Sequence, residues 1–256
     1  MARDRPPPPH SILITGASSG IGAALARRYA RPGTHLALGG RDADRLAAVA
    51  AQCRHSGAAV REQSVDVTDR AAMAAWIGRV DREASLDLVI ANAGTAGQHL
   101  PHGPERTRTI FAVNLDGVLN TIEPAQTAML ARGRGHLALM SSLASFYGSP
   151  HSPAYCSSKA AVRLLGESLR PRLAQSGIVV SVICPGYVET PMTAGIRPRM
   201  PLTTSAERAA TIIARALARG RARIAFPLTT YCVVRLLAIL PSRLAARLTV
   251  RPPHKT

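Results

Sequence analysis

Short apolar runs alternate with longer helix-like stretches through most of the chain. The runs, apolar over nearly their whole length, predict buried strands, and the stretches with helical periodicity predict helices. The runs cover residues 11–15, 35–39, 86–91, 136–141 and 178–184, and the helix-like stretches cover 21–31, 44–55, 71–83 and 154–174. Such strands are typical of a parallel β-sheet flanked by helices on both faces. The pattern therefore predicts a doubly wound α/β fold, in which ligands bind at the carboxyl ends of the strands.

The two ends of the chain differ in composition from its middle. Residues 1–10 form a charged, proline-rich tail, residues 11–227 carry the alternating pattern, and residues 228–256 form an apolar and basic C-terminal extension. With 46% hydrophobic and 18% charged residues, the chain suits one compact domain. The N-terminal tail lacks the apolar run of a secretory signal, so we expect a cytoplasmic protein.

Cysteine and histidine spacing predicts neither a disulfide framework nor a metal site. The four cysteines are far apart, with no CxxC pair, which favours a reducing compartment. His99 and His102 form the one close histidine pair, in a loop with proline and glycine and without further obvious ligands. We interpret that segment as a loop rather than a metal centre.

The formal net charge of +17 is spread along the chain. There is no Lys/Arg block, zinc-finger spacing or basic patch interleaved with aromatic residues, so we expect solvated surface charge and no nucleic-acid partner. Of the 32 basic residues, only Lys159 and Lys255 are lysines. A chain that uses arginine almost everywhere else thus keeps a lysine at position 159.

The first predicted strand ends in a glycine-rich turn that leads directly into the first predicted helix. Gly16 permits a tight turn, Gly20 allows close approach to a pyrophosphate, and Gly22 allows close helix packing. The N-terminus of the helix adds free N–H groups and a favourable dipole. The turn therefore predicts a phosphate site of the Rossmann type.

The same turn also matches the GxSxG elbow of serine hydrolases, with Ser18 as the nucleophile. In α/β-hydrolases that elbow follows several strands, whereas only one predicted strand precedes Ser18. The position of the turn therefore argues against a hydrolase.

Further motifs follow in a fixed order. They are Asn92-Ala93-Gly94 after the fourth predicted strand, Asn114 in a helix, Ser142 after the fifth strand, Tyr155 and Lys159 in a Tyr-x-x-x-Lys pattern, and Pro185-Gly186 followed by Thr190. Together with the glycine turn, this order resembles the short-chain dehydrogenase/reductase family, from about Ile12 to Thr190. The resemblance implies an oxidoreductase that moves hydride between a nicotinamide and a carbonyl or alcohol carbon.

The spacing of Tyr155 and Lys159 makes chemical sense by itself. Residues four apart in a helix share a face, where an ammonium favours the tyrosinate directly and through a bound ribose. We therefore expect a lowered Tyr155 pKa and acid/base catalysis by its phenol. Ser142 would orient the substrate oxygen; Ser141 and Ser145 are nearby alternatives, but Ser142 has the family spacing of thirteen residues before Tyr155. By resemblance, Asn114 would hold a water linking Lys159 to solvent.

Cofactor choice is predicted from the end of the second strand. An acidic residue there would bind the ribose hydroxyls of NAD, and an arginine suits the 2′-phosphate of NADP. Arg41 therefore favours NADP(H), with NAD(H) as the alternative. By resemblance, Asp66 and Val67 contact the adenine and Thr190 the carboxamide. The full set predicted to contact the cofactor is Gly16, Ser18, Ser19, Gly20, Ile21, Gly22, Arg41, Asp66, Val67, Asn92, Ala93, Gly94, Tyr155, Lys159, Pro185, Gly186, Val188 and Thr190.

The segment from Tyr187 to Thr204 contains prolines and no obvious strand, as expected of a substrate lid. Its apolar and basic side chains suggest an apolar carbonyl or alcohol substrate with an anionic end. These side chains are Met192, Ile196, Met200 and Leu202 with Arg197 and Arg199.

The C-terminal extension has an amphipathic pattern. Residues 228–240 are too few to span a bilayer and include Arg235. The apolar stripe is Val233, Leu236, Leu237, Leu240 and Leu244, and the basic face is Arg243, Arg247 and Arg251. We expect the stripe to pack on the protein or on another subunit; the alternative is an interfacial helix that lies flat on a membrane.

The resemblance also implies a homodimer or homotetramer. Two other functions stay open: a nucleotide-binding regulatory protein on the same fold with little turnover, and, more remotely, the serine hydrolase.

Overall fold

A seven-stranded parallel sheet forms the centre of the computed structural model, which describes residues 8–101, 103–194 and 202–240. The strand order is β3-β2-β1-β4-β5-β6-β9, with every neighbouring pair parallel. The order reverses between β1 and β4, which places a crevice at their carboxyl ends. The predicted Rossmann-type doubly wound fold is therefore confirmed.

The elements follow one another in the expected β-α rhythm. The strands are β1 (Ser11–Thr15), β2 (His35–Gly40), β3 (Ala59–Ser64), β4 (Leu88–Ala91), β5 (Gly135–Met140), β6 (Ile178–Pro185), β7 (Val188–Glu189), β8 (Thr204–Ser205) and β9 (Arg223–Phe226). The α-helices are α1 (Gly20–Tyr29), α2 (Ala43–His55), α3 (Arg70–Glu83), α4 (Pro104–Phe111), α5 (Gly117–Arg132), α6 (Pro153–Ala174), α7 (Ala206–Leu217) and α8 (Leu228–Ile239). A π-helical turn (Ala112–Asp116) joins α4 to α5, and a 3-10 turn (Leu143–Phe146) follows β5.

Two apolar layers cover the two faces of the sheet. Side chains of α1, α2 and α7 form one layer, and side chains of α3, α5 and α6 form the other. The central strands β1, β4 and β5 are buried almost throughout, which explains why they are apolar at nearly every position.

None of the apolar runs in the sequence covers β3. A third strand was nevertheless expected, because the run at residues 86–91 was assigned as the fourth strand. Its sequence is Ala-Val-Arg-Glu-Gln-Ser, and Val60 is its one buried residue. The reason is its place at the edge of the sheet, where it pairs with β2 alone and one face meets solvent.

The expected lid segment contains more regular structure than its sequence suggested. Val188–Glu189 and Thr204–Ser205 pair as a two-stranded parallel ladder, so the expectation of no strand in this segment was wrong at both of its ends. Two hydrogen-bonded residue pairs are too few to leave a recognisable alternation in the sequence. Four predicted lid residues, Ile196, Arg197, Arg199 and Met200, lie outside the described residues.

Helix α8 uses only part of its apolar surface against the protein. Tyr231 and Val234 pack on a small cluster beside the 3-10 turn, and the Tyr231 ring meets Phe146 edge-on at 5.3 Å between centroids. Val233 and Leu236 are exposed in the single chain, so this part of the stripe does not pack on the protein, and its packing on another subunit stays a prediction. None of the described helices is long and apolar enough to cross a membrane. Leu244, Arg243, Arg247 and Arg251 lie outside the described residues.

The stability of the fold depends on pH through one buried histidine, His136. Ser181 donates its single hydroxyl proton to the Arg221 carbonyl at 2.6 Å, so Nε2 of His136 must donate to the Ser181 oxygen at 2.8 Å. Burial, with a smaller contribution from the Arg170 charge, lowers the pKa of His136 to about 4. The folded protein therefore holds this imidazole neutral.

We expect the stability of the protein to fall as the pH drops from 6.5 to 5. The unfolded chain takes up a proton on this histidine near pH 6.5, whereas the folded chain does so only near pH 4. A lowered histidine pKa adds stability above the unfolded pKa, and that stability is lost on acidification. The loss is about 2 kcal/mol over this range, measurable by urea unfolding at each pH.

The matched variants are His136→Gln and His35→Gln, since His35 is exposed on the neighbouring end of β2. The first substitution should remove this part of the pH dependence and the second should retain it. An unchanged slope in His136→Gln would contradict the assignment.

Candidate active site

The glycine turn between β1 and α1 is held against the end of β4. The backbone φ angles of Gly16 and Gly20 are +65° and +54°, a conformation that favours glycine. The side-chain amide of Asn92 donates to the carbonyls of Thr15 at 2.9 Å and Gly16 at 3.2 Å. A Cβ on Gly22 would lie 2.6 Å from that amide and would also overlap the Gly16 carbonyl. Gly22 and Asn92 thus shape the turn.

The N-terminus of α1 differs from those of α2, α3 and α7. In those three helices the N-cap side chain, Asp42, Asp69 or Ser205, accepts a backbone N–H of the first turn. Ser19 caps α1 without a side-chain hydrogen bond. Its first-turn N–H groups therefore remain available to an anion such as a pyrophosphate.

A cleft of about 310 Å³ runs along the carboxyl edge of the sheet and gathers most of the predicted site residues. Of these residues, only Gly22 and Asn114 do not line it. The predicted residues that line the cleft are Gly16, Ser18, Ser19, Gly20, Ile21, Arg41, Asp66, Val67, Asn92, Ala93, Gly94, Ser142, Tyr155, Lys159, Pro185, Gly186, Val188 and Thr190. Met192, from the expected lid, also lines it.

Tyr155 and Lys159 lie in the first turns of α6, one helical turn apart; Lys159 is buried and Tyr155 is half-buried. The ammonium of Lys159 donates to the Met140 carbonyl at 2.9 Å and lies 6.0 Å from the centre of the Tyr155 ring. Burial lowers the pKa of Lys159 to about 8. The two side chains share one face, as the i, i+4 spacing predicted.

The expected lowering of the Tyr155 pKa is not found in the protein alone. Burial raises the pKa of Tyr155, and a hydrogen bond with Ser142 only opposes that rise. The Lys159 ammonium, 6.0 Å from the centre of the ring, does not offset this effect of burial. The phenol is therefore held in its protonated form, which is the form that can donate a proton.

The hydroxyl of Ser142 is the serine hydroxyl that pairs with Tyr155. It also accepts the backbone N–H of Ala144 at 3.1 Å. Ser141 instead donates to the Lys159 carbonyl at 2.8 Å, which ties β5 to α6. Ser145 lines a separate cavity of about 690 Å³ between α6, the 3-10 turn and α8. These positions favour Ser142 over the two neighbouring alternatives.

Asn114 occupies the π-helical turn between α4 and α5, whereas the sequence suggested an ordinary helix. Its amide donates to the Thr95 carbonyl at 2.9 Å and its Oδ1 accepts the Thr95 N–H at 2.8 Å. A Cβ built on Gly94 would lie 3.2 Å from Asn114 Oδ1 and 3.1 Å from Lys159 Nζ. The two polar groups therefore flank Gly94 just behind the cleft.

The opposite end of the cleft contains two arginines. Among the described residues, the guanidinium of Arg41 makes no ion pair, while Arg45 Nε pairs with Asp42 at 2.7 Å. Asp42 caps α2, and hydrogen bonds from Arg45 hold the pKa of its carboxyl below the usual range. The sequence prediction missed Arg45; its position in the first turn of the helix that follows Arg41 was the available signal.

Local hydrogen bonds orient two further predicted contacts. Asp66 accepts the backbone N–H of Thr68 at 2.9 Å and its hydroxyl at 2.8 Å. The backbone N–H of Thr190 donates to the Thr193 hydroxyl at 3.1 Å. The hydroxyls of Thr190 and Thr193 also lie 3.3 Å apart, so both Asp66 and Thr190 have local partners at the rim of the cleft.

In the described part of the chain, no three His, Cys, Asp or Glu side chains form a group that could hold a metal ion. His99 lies in the loop after β4, and His102 is outside the described residues.

Comparison with known sequences places the chain in a family. A family model described as short chain dehydrogenase matches residues 10–201. An uncharacterised oxidoreductase of Myxococcus xanthus is 37% identical over 239 residues, which cover 91% of this chain and 94% of the relative. One from Mycobacterium tuberculosis is 39% identical over 243 residues, which cover 92% and 96%.

Comparison with solved structures leads to the same family. A short-chain dehydrogenase from Sphingobium yanoikuyae in complex with NADPH has a TM-score of 0.78 and 29% identity, and the match covers 96% of this chain and 98% of that one. A Burkholderia phymatum short-chain dehydrogenase/reductase in complex with NAD has a TM-score of 0.80 and 25% identity, covering 96% and 97%. The chain belongs to the short-chain dehydrogenase family and is a nicotinamide-dependent oxidoreductase.

We expect Gly94→Ala to lower turnover while leaving the fold intact. The added methyl group would contact Lys159 Nζ and Asn114 Oδ1 at 3.1 and 3.2 Å and displace one or both. Misplacing a catalytic group by a fraction of an ångström costs about tenfold or more in rate. Steady-state kinetics and thermal unfolding measure the two effects separately.

Gly78→Ala is the control, because its Cβ in α3 would meet only the far end of Arg82 at 3.5 Å. Equal rates for both variants would show that the space at Gly94 is not needed.

Proposed function

We propose that the protein is an NADP(H)-dependent oxidoreductase that interconverts a carbonyl and an alcohol, with Tyr155 as the general acid and base. The observation that carries this proposal is the single cleft that contains the glycine turn at one end and Tyr155, Ser142 and Lys159 at the other. This groove joins an anion site to a protonated phenol. It can therefore hold a dinucleotide beside a carbonyl group that is to be reduced.

The residues of the cleft fit a nicotinamide dinucleotide. The first-turn N–H groups of α1 suit its pyrophosphate, and Gly20, at positive φ, lets the backbone approach closely. Asp66 lines the cleft and can accept a hydrogen bond from the amino group of adenine, and Thr190 lines it too and can offer its hydroxyl to the carboxamide. Lys159 would donate to the ribose hydroxyls.

The bound nicotinamide supplies or accepts the hydride at its ring. In the direction of reduction, Tyr155 donates its proton to the carbonyl oxygen as the carbon receives the hydride pair, which leaves an alcohol and a tyrosinate. Ser142 holds the same oxygen and fixes its distance from Tyr155. The Lys159 ammonium stabilises the tyrosinate, and Asn114 helps return a proton from solvent through a water. Oxidation of the alcohol reverses each step.

The cofactor preference rests on charge at the adenosine end. Arg41 has no ion-pair partner among the described residues and lines the cleft at the end of β2. The 2′-phosphate of NADP(H) would supply that partner, and Arg45 lines the cleft beside Arg41. The Sphingobium relative was solved with NADPH and the Burkholderia relative with NAD. The preference therefore depends on this chain's own residues.

The substrate is an apolar carbonyl or alcohol, and the functional unit is a homodimer or homotetramer, in line with the family resemblance. Met192 lines the cleft beside Thr190, and this apolar side chain supports the substrate assignment. The cavity that Ser145 lines, in which Phe146, Leu237 and Leu240 take part, offers further apolar surface near the start of α6.

We propose Tyr155→Phe as the direct test of acid/base catalysis. The variant removes the transferable proton, so turnover of carbonyl substrates with NADPH should fall by about 10²- to 10⁴-fold. Binding of NADPH, measured by fluorescence titration, should change little. A regulatory protein on this fold would instead keep its activity in this variant.

Tyr29→Phe is the control, because Tyr29 borders a cavity at the opposite end of the sheet. Turnover in Tyr155→Phe equal to that of the control would refute the assigned role. Ester hydrolysis that needs Ser18 and no nucleotide would favour the hydrolase instead.

The second test concerns Arg41. Replacing it with alanine should weaken NADPH binding by about tenfold or more, since a charge-assisted bond to phosphate is lost, and should leave NADH binding nearly unchanged. Calorimetric titration of both nucleotides gives the two dissociation constants. Arg82→Ala, an exposed arginine in the last turn of α3, is the control. An equal loss for both nucleotides would contradict recognition of the 2′-phosphate.

A further inference from the structure

Exposed apolar side chains concentrate on α8. Of the seven large apolar side chains that are exposed in the described part of the chain, four belong to this helix. They are Leu228, Val233, Leu236 and Ile239, between 56% and 74% exposed. Leu228, Leu236 and Ile239 share one side with Cys232, and Val233 lies at the margin of that side. We call these five residues the outer face of α8.

The opposite side of α8 is already packed. Tyr231 and Val234 lie on the cluster beside the 3-10 turn, and the Tyr231 hydroxyl accepts a hydrogen bond from Arg223 at 3.1 Å. Rolling the helix to bury its outer face would break these contacts. The described residues therefore leave the outer face without a partner.

Charge at this end of the chain narrows the choice of partner. Residues 228–256 contain five Lys or Arg residues and no Asp or Glu. Among the described residues, Arg235 has no acidic partner and lies over the Phe146 ring, 5.9 Å from its centre. Arg163 and Arg223 also lie over that ring and pair with Glu167. The segment that contains the outer face is thus strongly basic in sequence, and Arg235 carries one of its charges on α8 itself.

A second copy of the chain is a poor match for such a surface. A two-fold contact would bring the same basic segment of each copy against the other, without acidic residues in that segment to pair with. An anionic lipid surface provides both an apolar layer and negative charge. A helix that lies flat on a membrane needs only one apolar side. Helix α8, as described, is too short to span a membrane.

We propose that the outer face of α8 docks on an anionic lipid surface and holds the protein at the membrane as a peripheral enzyme. This role is separate from the hydride-transfer chemistry and does not depend on it. Leu237 and Leu240, at the carboxyl end of α8, line the cavity beside the start of α6. Docking would therefore place that cavity next to the bound helix.

Co-sedimentation with vesicles tests the proposal on the full-length protein. Phosphatidylcholine vesicles that contain phosphatidylserine should pellet the protein, pure phosphatidylcholine vesicles should pellet much less of it, and added salt should weaken the binding. Leu236→Ser combined with Ile239→Ser should lower the partition coefficient by about tenfold or more. Leu130→Ser, which removes an exposed leucine from α5, should leave it unchanged.

Cys232 gives a second readout that does not rely on a variant. The other three cysteines are buried, so a thiol-reactive, environment-sensitive fluorophore should label the native protein at Cys232 alone. Its emission should shift to the blue with the anionic vesicles, and brominated lipid should quench it.

Several results would overturn the proposal. These are no binding to either vesicle, equal binding to both, equal loss in the Leu130→Ser control, or a Cys232 label whose emission does not respond to vesicles. Light scattering tests the competing occupant, a second copy of the chain. If the wild-type protein is an oligomer that the combined Leu236→Ser and Ile239→Ser variant dissociates, and neither protein binds vesicles, the outer face is a subunit interface.

Discussion

The close approach of α1 to the carboxyl edge of the sheet is the constraint on which the site depends. That approach requires no side chain at Gly22 and a left-handed backbone at Gly16, and the Asn92 amide fixes the turn to the end of β4. With the turn in place, the uncapped N–H groups of α1 face the crevice between β1 and β4. The parallel sheet then brings the ends of β4, β5 and β6 to the same edge, and with them Gly94, Ser142 and Pro185.

Burial sets the electrostatics at the catalytic end of that edge. It raises the pKa of Tyr155 and lowers the pKa of Lys159, so the protein alone favours a neutral phenol beside a cation that gives up its proton more readily than usual. A neutral phenol and a cation are thereby adjacent before any ligand enters. The oxidised nicotinamide would add a positive charge to this environment and favour the tyrosinate in the reverse direction.

The sequence predicted the parts of the molecule in which local chemistry dictates structure. Buried parallel strands, the glycine turn and the Tyr155–Lys159 spacing could be predicted because each requires particular residue types at short separations. Strand β3 gave no apolar signal because it lies at the sheet edge, and the β7–β8 ladder spans only two residue pairs. The pKa of Tyr155 could not be foreseen, because it depends on burial by residues distant in the chain. The exposure of Val233 and Leu236 likewise depends on which side of α8 the 3-10 turn occupies.

The most direct test of the central claim is thermal unfolding of the protein with NADP, NADPH, NAD and NADH in turn, since a ligand that binds only the folded state raises the melting temperature. The account predicts a clear rise with NADP and NADPH and a smaller one with NAD and NADH at equal concentration. A larger rise with the unphosphorylated pair would contradict the role of Arg41, and no rise with any of the four would contradict the assignment of the cleft.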